Sequence, residues 1–203
     1  NLFKNAVNFY ENTEFDKALK VCKDILDIQP DDLNATNLLA ILNFQNKDFI
    51  KSIKLFKKAI EINPNISETH NNLGNVYYEV KKINIAIENY NKALKIKPNF
   101  ALSYYNRAKA LQEVNKKKEA ISDYDRAISL NKNFSEAYKN LGNLYMELKI
   151  LDKSIYNHEK ALKINPNMNY LKGAIIQSKC GLSEWANFKD DKLFLKNSIL
   201  SGK

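Results

Sequence analysis

Apolar side chains return along the chain three or four residues apart, in segments of about a dozen residues with polar breaks between them. The i, i+3, i+4, i+7 spacing of an amphipathic helix is clearest for Leu73, Val76, Tyr77 and Val80. After a two-lysine break the same spacing resumes over residues 86–94. The pattern predicts two consecutive helices joined by a tight turn.

This helix pair recurs every 34 residues. The clearest marker is proline, which stands 34 or 68 residues apart at Pro30, Pro64, Pro98 and Pro166, with Lys132 at the missing position. A proline directly after the second helix of each pair prevents it from continuing into the next pair. The sequence therefore predicts separate helix pairs with about 34 residues each.

Small residues fall at three fixed places in each copy, except that Ile25 deviates in the first copy. These three columns read Ala6, Ala40, Gly74, Ala108, Gly142; then Ala18, Ser52, Ala86, Ala120, Ser154; then Ile25, Ala59, Ala93, Ala127, Ala161. Small side chains let two helices approach closely, while the larger apolar residues between them fill the remaining space. A unit of this size cannot bury both of its faces alone, so the units must stack on one another.

Spacing, small residues and proline together resemble the tetratricopeptide repeat (TPR), which implies an all-α fold. The resemblance covers residues 1–168 as five units: 1–32, 33–66, 67–100, 101–134 and 135–168. It implies a right-handed superhelical α-solenoid, in which residues 169–203 supply a capping helix and a further C-terminal helical segment. A TPR array is an interaction fold, so we expect a protein or peptide partner and no catalytic activity in this chain.

Two features depart from the usual repeat. The turn inside each pair commonly holds glycine, but here Lys47, Lys81, Asn115 and Lys149 occupy it, which predicts backbone strain. The first two units are also irregular, because Asn5 and Asn43 stand in columns that hold leucine or tyrosine elsewhere. We interpret that irregularity as the outer face of a terminal repeat.

An asparagine returns in the first helix of three successive units, at Asn72, Asn106 and Asn140. In the family, first helices line the concave surface of the array. A side-chain amide offers a donor and an acceptor, as the backbone of an extended peptide requires, so the column predicts a ladder that holds peptide backbone. The alternative is that an asparagine-rich chain scatters this residue without functional meaning.

The predicted peptide-binding groove comprises Asn71, Asn72, Asn75, Tyr78, Tyr105, Asn106, Lys109, Lys139, Asn140, Asn143 and Met146. It does not match the carboxylate clamp with which some TPR proteins grip chaperone C-termini. Asn75 and Asn106 fit that clamp, but Asn71, Glu136 and Asn140 replace its cations. We therefore expect no chaperone carboxylate-clamp peptide as a partner.

The amino-acid composition bears on whether the partner is a nucleic acid, on membrane insertion and on the cellular compartment. A net charge of +9 would suit nucleic acid, but no aromatic-basic platform accompanies the dispersed lysines, so a basic solenoid binding nucleic acid is the less favoured alternative. The sequence contains no run of 18 apolar residues, which is about the length needed to span a membrane. Cys22 and Cys180 stand far apart, as is typical of a reducing compartment, and we expect a cytoplasmic location.

No catalytic, metal or cofactor motif is present in the sequence. His70 and His158 stand in columns that hold tyrosine in other units, which indicates packing. Cys22 stands in the column of Phe56 and Tyr90, which predicts a small buried apolar side chain.

The asparagine column is similar to the concave ladder of O-linked N-acetylglucosamine transferases. The segment KCGLSEWANF, residues 179–188, is similar to a Cys–acid–Trp phrase in their bacterial relatives and the SPINDLY group, where repeats meet the catalytic region. The resemblance implies the substrate-recognition arm of a glycosyltransferase-like enzyme. A stand-alone TPR adaptor or scaffold, and the repeats of a TPR-sulfotransferase, remain alternatives.

Residues 183–200 carry apolar residues on several faces, including Trp185, Phe194 and Leu200, which predicts self-association or a domain contact.

Overall fold

The computed structural model describes residues 2–182, and every regular element in this range is an α-helix. The helices are α1 (Leu2–Glu11), α2 (Phe15–Ile28), α3 (Leu33–Gln45), α4 (Phe49–Ile62), α5 (Ser67–Glu79), α6 (Ile83–Ile96), α7 (Ala101–Glu113), α8 (Lys117–Leu130), α9 (Ser135–Glu147), α10 (Leu151–Ile164) and α11 (Leu171–Gly181). The predicted all-α fold of five helix pairs and a capping helix is confirmed. The C-terminal segment 183–200 lies outside the described residues.

The chain forms two compact units that meet in sequence at residues 114 and 115. The first unit contains α1 to α7, and each of its helices packs against the next. The second unit contains α8 to α11, which pack in the same sequential manner.

The small-residue columns lie at the helix contacts, as predicted. In the first unit Ala40, Ala59, Ala86 and Ala93 are all 0% exposed, so these side chains are fully enclosed by the close-packed helices. In the second unit the same holds for Ala120, Ala127, Ser154 and Ala161. Larger side chains between the columns, such as Phe56 and Tyr90, fill the space and are 1% exposed.

The turn inside each helix pair carries one residue in the left-handed backbone region. Lys47, Lys81, Asn115 and Lys149 have φ between 58° and 61°, a region that costs a residue other than glycine about 1–2 kcal/mol, so the backbone conformation behind the predicted strain is present. Thr13, with φ of 61°, is a fifth such residue and was not predicted from the sequence.

Hydrogen bonds at the end of α5 show why this conformation is required. Lys82 N donates to Tyr77 O at 2.8 Å, and Lys81 N donates to Tyr78 O at 3.0 Å. These are the two bonds of a Schellman motif, which closes a helix only when the residue at the position of Lys81 has a positive φ.

Candidate peptide-binding surface

The repeated stretch NLGN, at residues 72–75 and 140–143, is explained by a contact inside each helix pair. Its glycine makes room for a ring: a Cβ on Gly74 would lie 2.6 Å from Cε1 of Tyr90. Its last asparagine then accepts a hydrogen bond from that ring, because Tyr90 Oη donates to Asn75 Oδ1 at 2.9 Å. The last asparagine of the stretch therefore stabilises the packing within its own repeat.

The second copy uses histidine in place of tyrosine. His158 Nε2 lies 2.9 Å from Asn143 Oδ1, and a Cβ on Gly142 would approach the same ring nitrogen to 2.6 Å. His158 is 0% exposed, which confirms its assignment to packing, and Asn143 remains exposed. Burial lowers the pKa of His158 below 6.5, which favours the neutral ring.

Stability should therefore depend on pH through His158. The unfolded histidine takes up a proton as the pH falls below 6.5, whereas the folded one, with its lowered pKa, does so only at lower pH. The contribution of His158 to the free energy of unfolding therefore has its full value above pH 6.5 and decreases as the pH falls toward the pKa of the folded state. We expect His158→Tyr, which copies the pair formed by Tyr90 and Asn75, to remove this part of the decrease.

The measurement is urea unfolding of both proteins at pH about 7.5 and about 5, where a histidine of ordinary pKa changes charge. The other histidine, His70, is present in both proteins and cancels in the comparison. An equal loss of stability in the two proteins would contradict the assignment to His158.

The candidate surface itself lies on α5 and α7 of the first unit. Asn106 Nδ2 donates to Asn71 Oδ1 at 3.1 Å, and Asn71 Nδ2 donates to Asn72 Oδ1 at 3.4 Å. The two column asparagines of this unit are therefore joined through a third amide.

Asn71 does not lie in a groove, contrary to the prediction. It is 1% exposed, so it has no surface to offer a ligand. The reason is the helix geometry, because neighbouring residues on a helix point about 100° apart. Asn72 and Asn106 are half-buried, and each amide has more donors and acceptors than the bonds described here use. They remain able to bond a ligand.

A second polar contact joins α5 to α3. Thr69 Oγ1 donates to Asn37 Oδ1 at 2.9 Å, and Asn37 Nδ2 donates to Leu33 O at 3.1 Å. Neither side chain was predicted, although Asn37 stands 34 residues before Asn71; Thr69 stands in a column that holds alanine or serine in the second, fourth and fifth units. Side-chain hydrogen bonds thus connect the first helices of three successive repeats.

An aromatic and cationic cluster lies toward the C-terminal ends of α5 and α7. Lys109 Nζ is 4.8 Å from the ring centroid of Tyr78 and 5.8 Å from that of Tyr105, and Lys81 Nζ is 5.5 Å from Tyr78. Tyr78 Oη donates to Glu113 Oε1 at 3.1 Å. Burial, and then the charge of Glu113, raises the pKa of Tyr78 to about 12. The phenol is therefore a neutral donor at physiological pH.

The remaining predicted groove residues belong to α9 in the second unit. Lys139, Asn140 and Met146 are half-buried. Glu136, at a position where a chaperone clamp would need a cation, is half-buried and accepts a hydrogen bond from Ser135 Oγ at 2.8 Å.

Within residues 2–182 no group of three or more metal-ligating side chains comes together. No helix in that same range is long and apolar enough to cross a membrane. Cys22 is 0% exposed, as predicted, and burial together with the charge of Asp32 raises its pKa to about 11.

Solved structures with the same fold share little sequence with this chain. PilF of Pseudomonas aeruginosa has a TM-score of 0.83 at 15% identity, covering 97% of this chain and 89% of its own. MamA has a TM-score of 0.71 at 20% identity, covering 81% and 96%. YrrB, described as a TPR protein with an unusual peptide-binding site, has a TM-score of 0.65 at 17% identity, covering 81% and 85%. These likenesses concern the fold alone.

Comparison of the sequence with curated proteins finds no match. Comparison with protein families does give a match. The tetratricopeptide-repeat family matches residues 67–100, 101–134 and 135–168, and a further TPR repeat family matches residues 43–81. The chain therefore belongs to the tetratricopeptide-repeat family.

Proposed function

We propose that this chain is a non-catalytic interaction module that binds an extended peptide of a partner protein across α5 and α7. The observation that carries the proposal is the chain of amides from Asn106 through Asn71 to Asn72. Because Asn71 is buried and bonded to both, it restricts the orientation of two half-buried amides before a ligand arrives. Such preorganisation reduces the entropy that binding would cost.

The cluster beside these amides suits the side chains of such a peptide. Lys109 has no carboxylate partner among the described residues, so it can pair with an acidic side chain of the ligand. The rings of Tyr78 and Tyr105 offer apolar area next to that cation. Backbone bonding at Asn72 and Asn106 would make binding tolerant of sequence, while the cluster would favour an acidic or aromatic residue at one position.

The test is a double change, Asn72→Ala with Asn106→Ala, measured by calorimetry with several unrelated peptides selected from a random library. Each lost neutral hydrogen bond contributes about 0.5–1.5 kcal/mol, so we expect about tenfold weaker binding for all of them. Asn84→Ala, an exposed asparagine of α6, is the matched control.

Thermal unfolding must accompany these measurements, because Asn106→Ala removes a partner of the buried Asn71. A double variant that stays folded and binds every peptide as the parent does would assign the asparagine column to composition. A separate variant, Asn140→Ala, tests the asparagine of the second unit in the same assay.

Two narrower hypotheses concern the class of partner. The substrate arm of an O-linked N-acetylglucosamine transferase-like enzyme rests on the asparagine column and on the phrase from Cys180 to Trp185, and Trp185 lies outside the described residues. Exclusion of acidic chaperone tails rests on Glu136, which would repel a terminal carboxylate. Low-micromolar binding of such a tail peptide in calorimetry would overturn the latter.

A further inference from the structure

A cavity of about 640 Å³ lies in the first unit between α2 and α4, above α3. Its volume falls in the range of pockets that bind small molecules or side chains. Leu19, Leu39 and Leu55 supply apolar walls, and Asn43 lies among them. None of these residues belongs to the candidate surface on α5 and α7.

Asn43 is the reason the cavity exists. The same column holds Tyr77 in the next repeat, which is 7% exposed and packed in the core, and leucine or tyrosine thereafter. The much smaller amide leaves that volume unfilled. Asn43 is itself 8% exposed, and its Nδ2 donates to Leu39 O at 2.7 Å. Its Oδ1 has no described protein partner within residues 2–182 and is open to solvent, so it can accept a hydrogen bond from a ligand in the cavity.

Lysines surround the opening of the cavity. Lys23, Lys51, Lys54 and Lys58 line it, with Asp48 as the single carboxylate among the lining residues. Asp48 already pairs with Lys51 at 2.7 Å, and Lys58 pairs with Asp31 at 3.4 Å. Lys23 and Lys54 are exposed and have no carboxylate partner in the described range. The rim is therefore positive and only partly neutralised.

We propose that this cavity binds an acidic segment of a partner protein, with one large aromatic side chain inserted among the leucines and Asp or Glu on both sides of it. The apolar walls fit the ring, and the lysines fit the flanking carboxylates. The Oδ1 of Asn43 can accept a hydrogen bond from an N–H group, which a peptide backbone or an indole supplies and a fatty-acid carboxylate does not. Tryptophan suits both the apolar walls and this acceptor, because it joins an apolar body to one N–H group.

The experiment selects random displayed heptapeptides on the parent protein, with counter-selection on Asn43→Tyr. We expect the retained peptides to contain an aromatic residue flanked by Asp or Glu. Their dissociation constants are then measured by fluorescence polarisation. Asn43→Tyr should abolish binding without loss of stability, because it fills the cavity as Tyr77 does in the next repeat. Asn43→Leu serves as a second filling variant if tyrosine does not fit.

Charge reversal tests the rim separately. Lys54→Glu should weaken binding about tenfold, because each attraction near 4 Å becomes a repulsion. Lys57→Glu is the matched control, since Lys57 is exposed on the same helix but does not line the cavity. The variant with Asn72→Ala and Asn106→Ala should bind these peptides as the parent does, which separates this site from the proposed function.

Three results would overturn the proposal. In the first, no selected peptide is lost with either Asn43→Tyr or Asn43→Leu. In the second, the lost peptides lack acidic residues, or dodecanoate competes for the cavity as well as they do, which would indicate a lipid-like ligand. In the third, Lys54→Glu and Lys57→Glu weaken binding equally, which would reduce the effect to the overall positive charge.

Discussion

Replacing Ala93 by leucine should lower the free energy of unfolding by about 1–3 kcal/mol. Ala93 is 0% exposed in α6 and stands in a column where every later repeat also holds alanine at 0% exposure. Three added carbon atoms have no space to occupy, so α6 must shift or its neighbours must leave their preferred rotamers. Guanidinium unfolding, followed by circular dichroism, measures the loss.

Lys92→Leu is the control for this change, because Lys92 precedes Ala93 on the same helix and is exposed. It should alter stability by no more than about 0.5 kcal/mol. If Ala93→Leu proved as stable as the parent, Ala93 would not lie at a tight helix contact.

Glycine at four of the left-handed turn positions should raise the free energy of unfolding. The combined changes are Thr13→Gly, Lys47→Gly, Lys81→Gly and Lys149→Gly, all at φ between 58° and 61°. A left-handed residue other than glycine costs about 1–2 kcal/mol, and the greater freedom of glycine in the unfolded chain returns about 0.4–1 of it. We expect a net gain of about 2–4 kcal/mol, visible as a higher unfolding midpoint in guanidinium.

Lys57→Gly gives the opposite expectation and serves as the control. Lys57 is exposed in the interior of α4, where the backbone is helical and glycine costs about 1 kcal/mol. A quadruple variant no more stable than the parent would show that the four turns carry no strain.

The fold was predictable because the same sequence signals recur in each repeat. Proline, small residues and apolar spacing all indicate the same helix pairs, so an irregular position in one repeat does not change the prediction. The turn at Thr13 was missed because the first copy is the least regular. The left-handed backbone at Thr13 follows from the same Schellman hydrogen bonds at the end of α1. No single residue type at the turn predicts those bonds.

The candidate site was less predictable, because one residue along a helix changes the direction of a side chain by about 100°. Asn71 and Asn72 are adjacent asparagines, and the packing of α5 against its neighbouring helices decides which is buried. Asn75 stays a predicted groove residue, but its Oδ1 also accepts a hydrogen bond from Tyr90, a contact inside its own repeat that was not predicted. Asn43 was noticed as irregular, but its consequence, an unfilled volume, depends on which side chains surround it.

The two thiols of this chain offer a way to time its motions. Cys22 is packed against leucines of α3, and burial with the charge of Asp32 raises its pKa to about 11, so it holds almost no thiolate at neutral pH. Because the thiolate is the reactive form, an alkylating reagent can modify Cys22 only when the packing of α2 against α1 and α3 opens. Cys180 is half-buried in α11 and is expected to react first, as an internal reference. The ratio of the two rates would then report how often the first repeat opens while the rest of the chain stays folded.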